Sequence, residues 1–199
     1  NTTATGNVAV GYQTLKANTT SEDSTAVGYN ALTLNTAAGS TAIGSGALDA
    51  NTSGAANTAV GYSALSAIIT SGNCTAVGYN ALVATTGADN TAVGANALDA
   101  NTTGARNTAV GSNAMTGAGT ADTDNTAIGY NALASNSGGN YNTALGSTAL
   151  DTNNLGDNNT AVGYGTLTAN TTANNNTAIG YFALKSNTTG SWNAASGVN

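Results

Sequence analysis

Residues Asn90–Arg106 read NTAVGANALDANTTGAR, and the triplet Ala92-Val93-Gly94 near its start belongs to a series. Ala, then an aliphatic residue, then Gly return eleven times, seventeen residues apart with slips of one. The aliphatic member falls at Val10, Val27, Ile43, Val60, Val77, Val93, Val110, Ile128, Leu145, Val162 and Ile179. The Gly that follows is Gly11, Gly28, Gly44, Gly61, Gly78, Gly94, Gly111, Gly129, Gly146, Gly163 and Gly180. Five residues after the first aliphatic column runs a second: Leu15, Leu32, Leu48, Leu65, Leu82, Leu98, Met115, Leu133, Leu150, Leu167 and Leu184. A fixed short period marks a solenoid, in which each repeat is one coil stacked on its neighbours. A linker of the same composition has no need to hold an aliphatic residue at constant phase.

Within a repeat, Thr-Ala-Val alternates side-chain direction and is bounded by Gly, so it reads as a short strand; Ala-Leu follows a corner. Seventeen residues at ~3.3 Å each make a coil of about 55 Å circuit, and eleven coils at ~4.8 Å make a rod of roughly 50 Å. The fold class expected is all-β, a parallel β-roll or β-solenoid of about eleven coils of 16–18 residues. It forms one repeat domain over residues 1–199, with a partial repeat at 193–199. The Gly column is expected at a corner that needs positive φ or no Cβ. The single Met115 is a volume-conserving replacement of Leu. The length slips fall between the Leu column and the next Asn, which marks that stretch as the outer, tolerant loop.

Alternation puts Thr91 and Val93 on one side and Ala92 on the other. With the first aliphatic column taken as core beside the second, Ala points outward at every coil and is expected to contact another copy of the chain. Val, Leu and Ala offer modest apolar area per coil at ~25 cal/mol per Å², which also favours oligomerisation. Asn90, Asn107, Asn125, Asn142, Asn159 and Asn176 are placed to form a coil-to-coil amide ladder.

Composition excludes several functions. Charged residues are 6%, against about 25% in ordinary domains. Three cations, Lys16, Arg106 and Lys185, lie far apart in a chain of net charge −6, so phosphate-driven nucleic-acid binding is not expected. No run of about 20 apolar residues suggests membrane insertion. With no His and one Cys, the usual triads and zinc sites cannot be assembled; neither enzymatic activity nor a cofactor is expected. The chain opens and closes inside the pattern, so it is read as a segment of a longer protein or a processed form.

The columns resemble the head repeats of trimeric autotransporter adhesins, the YadA-like head, whose Asn-Ser-Val-Ala-Ile-Gly pattern comes closest at Asn7-Val8-Ala9-Val10-Gly11. The run Asn-Thr-Ala-Val-Gly-Tyr-Asn-Ala-Leu is also similar to repeats of phage tail-fibre and related bacterial surface proteins. The likeness covers the chain from Asn7 to Trp192. It implies a left-handed β-roll and a homotrimer around one axis. The repeat here is longer than the adhesin repeat, and Tyr often follows the Gly.

Seven of the eight Tyr follow that Gly: Tyr12, Tyr29, Tyr62, Tyr79, Tyr130, Tyr164 and Tyr181. They form either a receptor-contact ladder stacking on sugar rings or a structural stack shielding the corner. Ser45, Ala95, Ser112 and Ser147 interrupt it. Asp122 and Asp124, in the longest loop, Thr116–Asp124, are weak Ca²⁺ candidates against a solvated loop. Cys74 stands where other repeats carry Asn or Ser and is a small substitute in a column. Phe182 and Trp192 read as ordinary packing. Sequons at Asn18, Asn51, Asn101 and Asn187 follow from composition.

The expected function is the structural or adhesive shaft or head of an extracellular fibre, on a virion or a bacterial surface, with a cell-surface glycan or protein as receptor. A self-assembling filament subunit is one alternative. An ice-binding solenoid is another, opposed by the placing of Thr on the core side.

Overall fold

The computed structural model describes residues 3–117, 119 and 121–198; Ala118 and Thr120 of the longest loop lie outside the described residues. Each repeat contributes one three-residue strand: β1 (Val8–Val10), β2 (Thr25–Val27), β3 (Thr41–Ile43), β4 (Thr58–Val60), β5 (Thr75–Val77), β6 (Thr91–Val93), β7 (Thr108–Val110), β8 (Thr126–Ile128), β9 (Thr143–Leu145), β10 (Thr160–Val162), β11 (Thr177–Ile179) and β12 (Ala194–Ser196). The twelve form one sheet in sequential order. All neighbours are parallel and in register; from β2 to β11 Thr lies on Thr and Ala on Ala, as in Thr91↔Thr108 and Ala92↔Ala109, while Val8 lies on Thr25 at one end and Thr177 on Ala194 at the other. The register holds across the sixteen-residue step between β5 and β6 and the eighteen-residue step between β7 and β8. The chain is an all-β solenoid of repeated coils. No helix is long and apolar enough to cross a membrane among the described residues.

Backbone hydrogen bonds run from coil to coil beyond the strands as well. Thr91 N donates to Asn107 O (2.8 Å), Gly94 N to Val77 O (2.8 Å), Asn96 N to Tyr79 O (2.9 Å) and Leu98 N to Ala114 O (3.0 Å). The corner after the strand is made by residues of alternating handedness. Asn96 has φ 54° and Leu98 φ 53°, and all eleven members of the Leu column lie between 47° and 53°. A left-handed conformation costs an L-residue roughly 1–2 kcal/mol, so these corners exist because the stacking hydrogen bonds and the burial of Leu outweigh that cost.

The interior reverses one expectation. Ala26, Ala42, Ala59, Ala76, Ala92, Ala109, Ala127, Ala144, Ala161 and Ala178 are fully buried. The Leu column packs beside them, with Leu15 nearly buried, Leu32 to Leu167 fully so and Leu184 partly. The first aliphatic column is not core. Val27, Val60, Val77, Val110 and Val162 are half-buried, and Val10, Ile43, Val93, Ile128, Leu145 and Ile179 are exposed, with Val10 at 57% and Ile43 at 42%. Thr and Val do share a face, but that face is the outer one. A three-residue strand turns only its central side chain inward, and the Leu side chains and a second Ala set (Ala31, Ala47, Ala64, Ala81, Ala97) already fill the narrow lumen. Ala is invariant because the interior has no room for more. A copy-to-copy contact through the Ala column is therefore ruled out.

Most of the rest of the lumen is amide. Asn107 N and Nδ2 both donate to Asn90 Oδ1 (3.0 and 3.2 Å), and its own Oδ1 accepts from Asn125 N (3.0 Å). The series continues through Asn142, Asn159 and Asn176 to Asn193. A second ladder crosses the stretch expected to be an outer loop. Asn51 Nδ2 donates to Asn35 Oδ1, Asn153 Nδ2 to Asn136 Oδ1 and Asn170 Nδ2 to Asn153 Oδ1. The sequon residues Asn18, Asn51 and Asn101 are buried, so they are not accessible glycosylation acceptors. Ile68 and Thr85 occupy this column in two coils and are buried there.

Candidate binding surface

Tyr side chains leave the corner outward because the Gly before them ends the strand and the next residue inward is Ala. All seven are exposed, from 48% at Tyr164 to 61% at Tyr12. They stack in pairs one coil apart. Ring centroids are 5.2 Å apart for Tyr12–Tyr29, 5.6 Å for Tyr62–Tyr79 and 5.5 Å for Tyr164–Tyr181, with planes within 14° of parallel. Phe182 packs edge-on against Tyr164 and Tyr181, and Lys185 Nζ lies 4.2 Å from its ring centre. The ladder is thus broken into pairs by Ser45, by Ala95 with Ser112, and by Ser147. Tyr130 stands between two breaks with no ring contact among the described residues.

Beside the widest break, a groove of about 650 Å³ is lined by Asn96, Asp99, Asn113, Thr116, Asn131 and Asp151, with Ala100, Gly117, Ala134 and Ser135. Asn96 and Asn113 directly follow Ala95 and Ser112 in the chain. Asp99 and Asp151 sit in one column three coils apart. Partial burial raises the carboxyl pKa of both above the ordinary value, and Asp49, in the same column, behaves alike. A second hollow of about 450 Å³ is the open cross-section at the β12 end, lined by Leu184, Asn187 and Val198 among others.

The Asp pair of the long loop does not converge on a metal. Asp122 turns inward and takes an amide's place in the second ladder: its Oδ2 accepts from Gly119 N (2.9 Å) and Asn136 Nδ2 (2.6 Å). Burial raises its pKa. A carboxylate brings no N–H to the coil below, and Asn101 Oδ1 is left without a partner among the described residues. Asp124 turns outward into a two-pronged pair with Arg106, Nε–Oδ1 2.7 Å and Nη2–Oδ2 2.8 Å. The guanidinium holds the Asp124 carboxyl below its usual range. No group of three metal-ligating side chains occurs among the described residues. Cys74 fills a rung of the first ladder: its N donates to Asn57 Oδ1 (3.0 Å) and its Sγ to Gly87 O (3.3 Å). Burial pushes its thiol pKa up, so little reactive thiolate forms.

Four carboxyls, Asp49, Asp99, Asp122 and Asp151, have folded-state pKa values above the ordinary 3.8, chiefly through desolvation. The folded chain holds these protons more tightly than the unfolded chain. Their contribution to stability is therefore fully present below about 3.8 and is lost as pH rises through the raised values. Asp124 acts in the opposite sense, but its partner Arg106 is exposed and the pair is screened by solvent. The expected outcome is a higher melting temperature at pH 4.5 than at pH 7.5, read by circular dichroism. A lower value at pH 4.5 would show these carboxyls to be solvated.

Comparison with family models, with curated proteins and with solved structures finds no match to this chain.

Proposed function

We propose that the chain is a rod segment, shaft or head, of an extracellular fibre that assembles from copies of itself and adheres to surfaces multivalently. The observation that carries this is the outer face of the sheet. An aliphatic stripe runs the length of the rod in register, from Val10 at 57% exposed to Ile179 at 46%, with no charged residue in any strand. The stripe is half-buried at five coils and exposed at six, and an outward apolar stripe repeated along a rod favours association. A second copy presenting the same stripe covers it, and repetition lets weak contacts add along the rod. Three copies is the number that the resemblance to trimeric adhesin heads suggests.

Light scattering after size exclusion tests this, with a mass of about three times the 19.1 kDa of one chain expected. The variant Val60→Glu/Val93→Glu/Val110→Glu should fall to one chain while keeping its β circular dichroism, because those side chains point out of the coil. A wild-type monomer would overturn the assembly. Large heterogeneous species would replace it with end-to-end filaments.

A second reading rests on the same face. Ten outward Thr, from Thr25 to Thr177, each stand two residues from an outward aliphatic side chain, at ~4.8 Å from rung to rung. Such a flat, uncharged, regular array suits ordered water, and the objection that Thr lies on the core side falls with the reversal of the faces. Thermal hysteresis from a monomeric chain would select this ice-binding reading over the fibre.

A further inference from the structure

We infer that Asp122 is a proton-gated rung of the second amide ladder: its protonated carboxyl donates to Asn101 Oδ1 and closes the ladder, and ionisation opens the ladder at that one interface. The inference is independent of the number of chains in the rod and of what the rod adheres to.

The local sequence sets the exception. In five coils the ladder Asn stands three residues before a Gly, as in Asn101-Thr102-Thr103-Gly104 and Asn136-Ser137-Gly138-Gly139. The eighteen-residue coil reads Gly119-Thr120-Ala121-Asp122, with the two ends exchanged. Its acid therefore enters the lumen from the Gly side of the turn. Elsewhere Gly54 N donates to Asn51 Oδ1 (3.2 Å); here Gly119 N donates to Asp122 Oδ2 (2.9 Å). Asp122 is 2% exposed, the only carboxyl so deeply buried among the described residues.

The bonding of the ladder shows what is missing. Nδ2 of one coil donates to Oδ1 of the coil before, Asn153 to Asn136 (2.9 Å) and Asn170 to Asn153 (2.7 Å). Asn136 Nδ2 carries the run onto Asp122 Oδ2 (2.6 Å). Below Asp122 the run stops. Asn101 Oδ1 is fully buried and has no partner among the described residues. A Cβ on Gly104 would collide with Asn101 Oδ1 and Asp122 O together, so the orphaned acceptor lies against Asp122. Turning the amide over brings no relief. Asn101 Nδ2 donates to Gly104 O (3.0 Å) and Thr85 Oγ1 (3.4 Å), and an oxygen in its place would face the Gly104 carbonyl. The acceptor needs a donor, and a carboxyl has one only when protonated.

The charged surroundings favour that proton. Burial raises the Asp122 carboxyl pKa, the bonds from Gly119 and Asn136 lower it, and the charge of Asp157, two coils further on, raises it. Asp124 turns outward and occupies Arg106, and Asp99, two residues before Asn101, lines the outer groove. With the folded value above the unfolded one, the contribution of the rung is present below about 3.8 and is lost as pH rises through the folded value. In a solenoid such a loss falls on one interface, here that between the coils of Asn101 and Asp122.

Asp122→Asn supplies a permanent donor in nearly the same shape. Melting curves of both proteins, read by circular dichroism from pH 3.5 to 7.5, test the rung. The variant should melt about 3–6 °C above the wild type at pH 7.5, and the gap should close as pH falls below the folded value. In the wild type, the carboxyl carbon of Asp122, assigned by its absence from the variant, should titrate above 3.8 in a nuclear magnetic resonance series. A variant that melts at or below the wild type at pH 7.5, a gap that ignores pH, or a carboxyl that titrates at or below 3.8 would each overturn the rung.

Discussion

Gly94→Ala is expected to lower the melting temperature by about 10 °C or more, from a loss of roughly 3–5 kcal/mol at about 2–4 °C per kcal/mol in a chain of this size. Two physical costs add. Gly94 sits at φ +139°, and a Cβ built on it lies 2.4 Å from the carbonyl oxygen of Gly111 in the next coil. The obstacle is backbone, itself fixed by the next coil, so no rotamer change relieves it. The coils must separate at that corner, and in a solenoid such a loss falls on one interface and uncouples the stack there. Gly39→Ala is the control. Gly39 has φ +72° but no heavy atom within 4 Å of an added Cβ, so it carries strain without a clash and should cost about 1 kcal/mol. Equal effects of the two substitutions would show that close approach of the coils is not what the Gly column serves.

Asn107→Asp is expected to cost about 3–5 kcal/mol at pH 7.5 and markedly less at pH 4.5. The amide donates from Nδ2 to Asn90 Oδ1 (3.2 Å) and to Asp122 O (2.7 Å), in a fully buried position. A carboxylate there faces two acceptors with no donor, at about 1–3 kcal/mol for each buried group left unpaired, and more for a charge. Protonation restores one O–H donor. The folded pKa of the new carboxyl is thus raised above its unfolded value, and the lost stability returns as pH falls below that folded value. Melting curves of wild type and variant at both pH values read the gap between them. A gap that stays constant or widens in acid would mean that the ladder is wet.

The repeat and its strand were legible because Val93 and Leu98 each hold one phase through eleven coils, and no other element class does that at seventeen residues. The Gly94 corner was legible for the same reason, and both causes suggested for it, positive φ and close approach, operate together. The direction of the strand was not. Alternation pairs Thr91 with Val93 but carries no sign, and the larger aliphatic residue was taken as core. The deciding signal was invariance of size at Ala92: a solvent-facing position tolerates variation, whereas a lumen already holding Leu98 and Ala97 does not. The second amide ladder was hidden because Asn101 lies among Thr, Gly and Asp in a stretch that reads as a turn. The left-handed Leu98 was hidden as well, since Leu carries no local preference for that conformation. The Tyr column was visible as a spacing, but the groove depends on what Ala95 and Ser112 lack and on carboxyls 52 residues apart, Asp99 and Asp151.

Strand contacts occur only between consecutive strands, and the register ignores a step of sixteen, seventeen or eighteen residues. Excising one period, or copying one, therefore rejoins surfaces of the same shape and leaves every other contact as it was. The gene for such a chain can recombine unequally within itself and still encode a folded product, so the molecule acts as a ruler whose length changes in single rungs of ~4.8 Å.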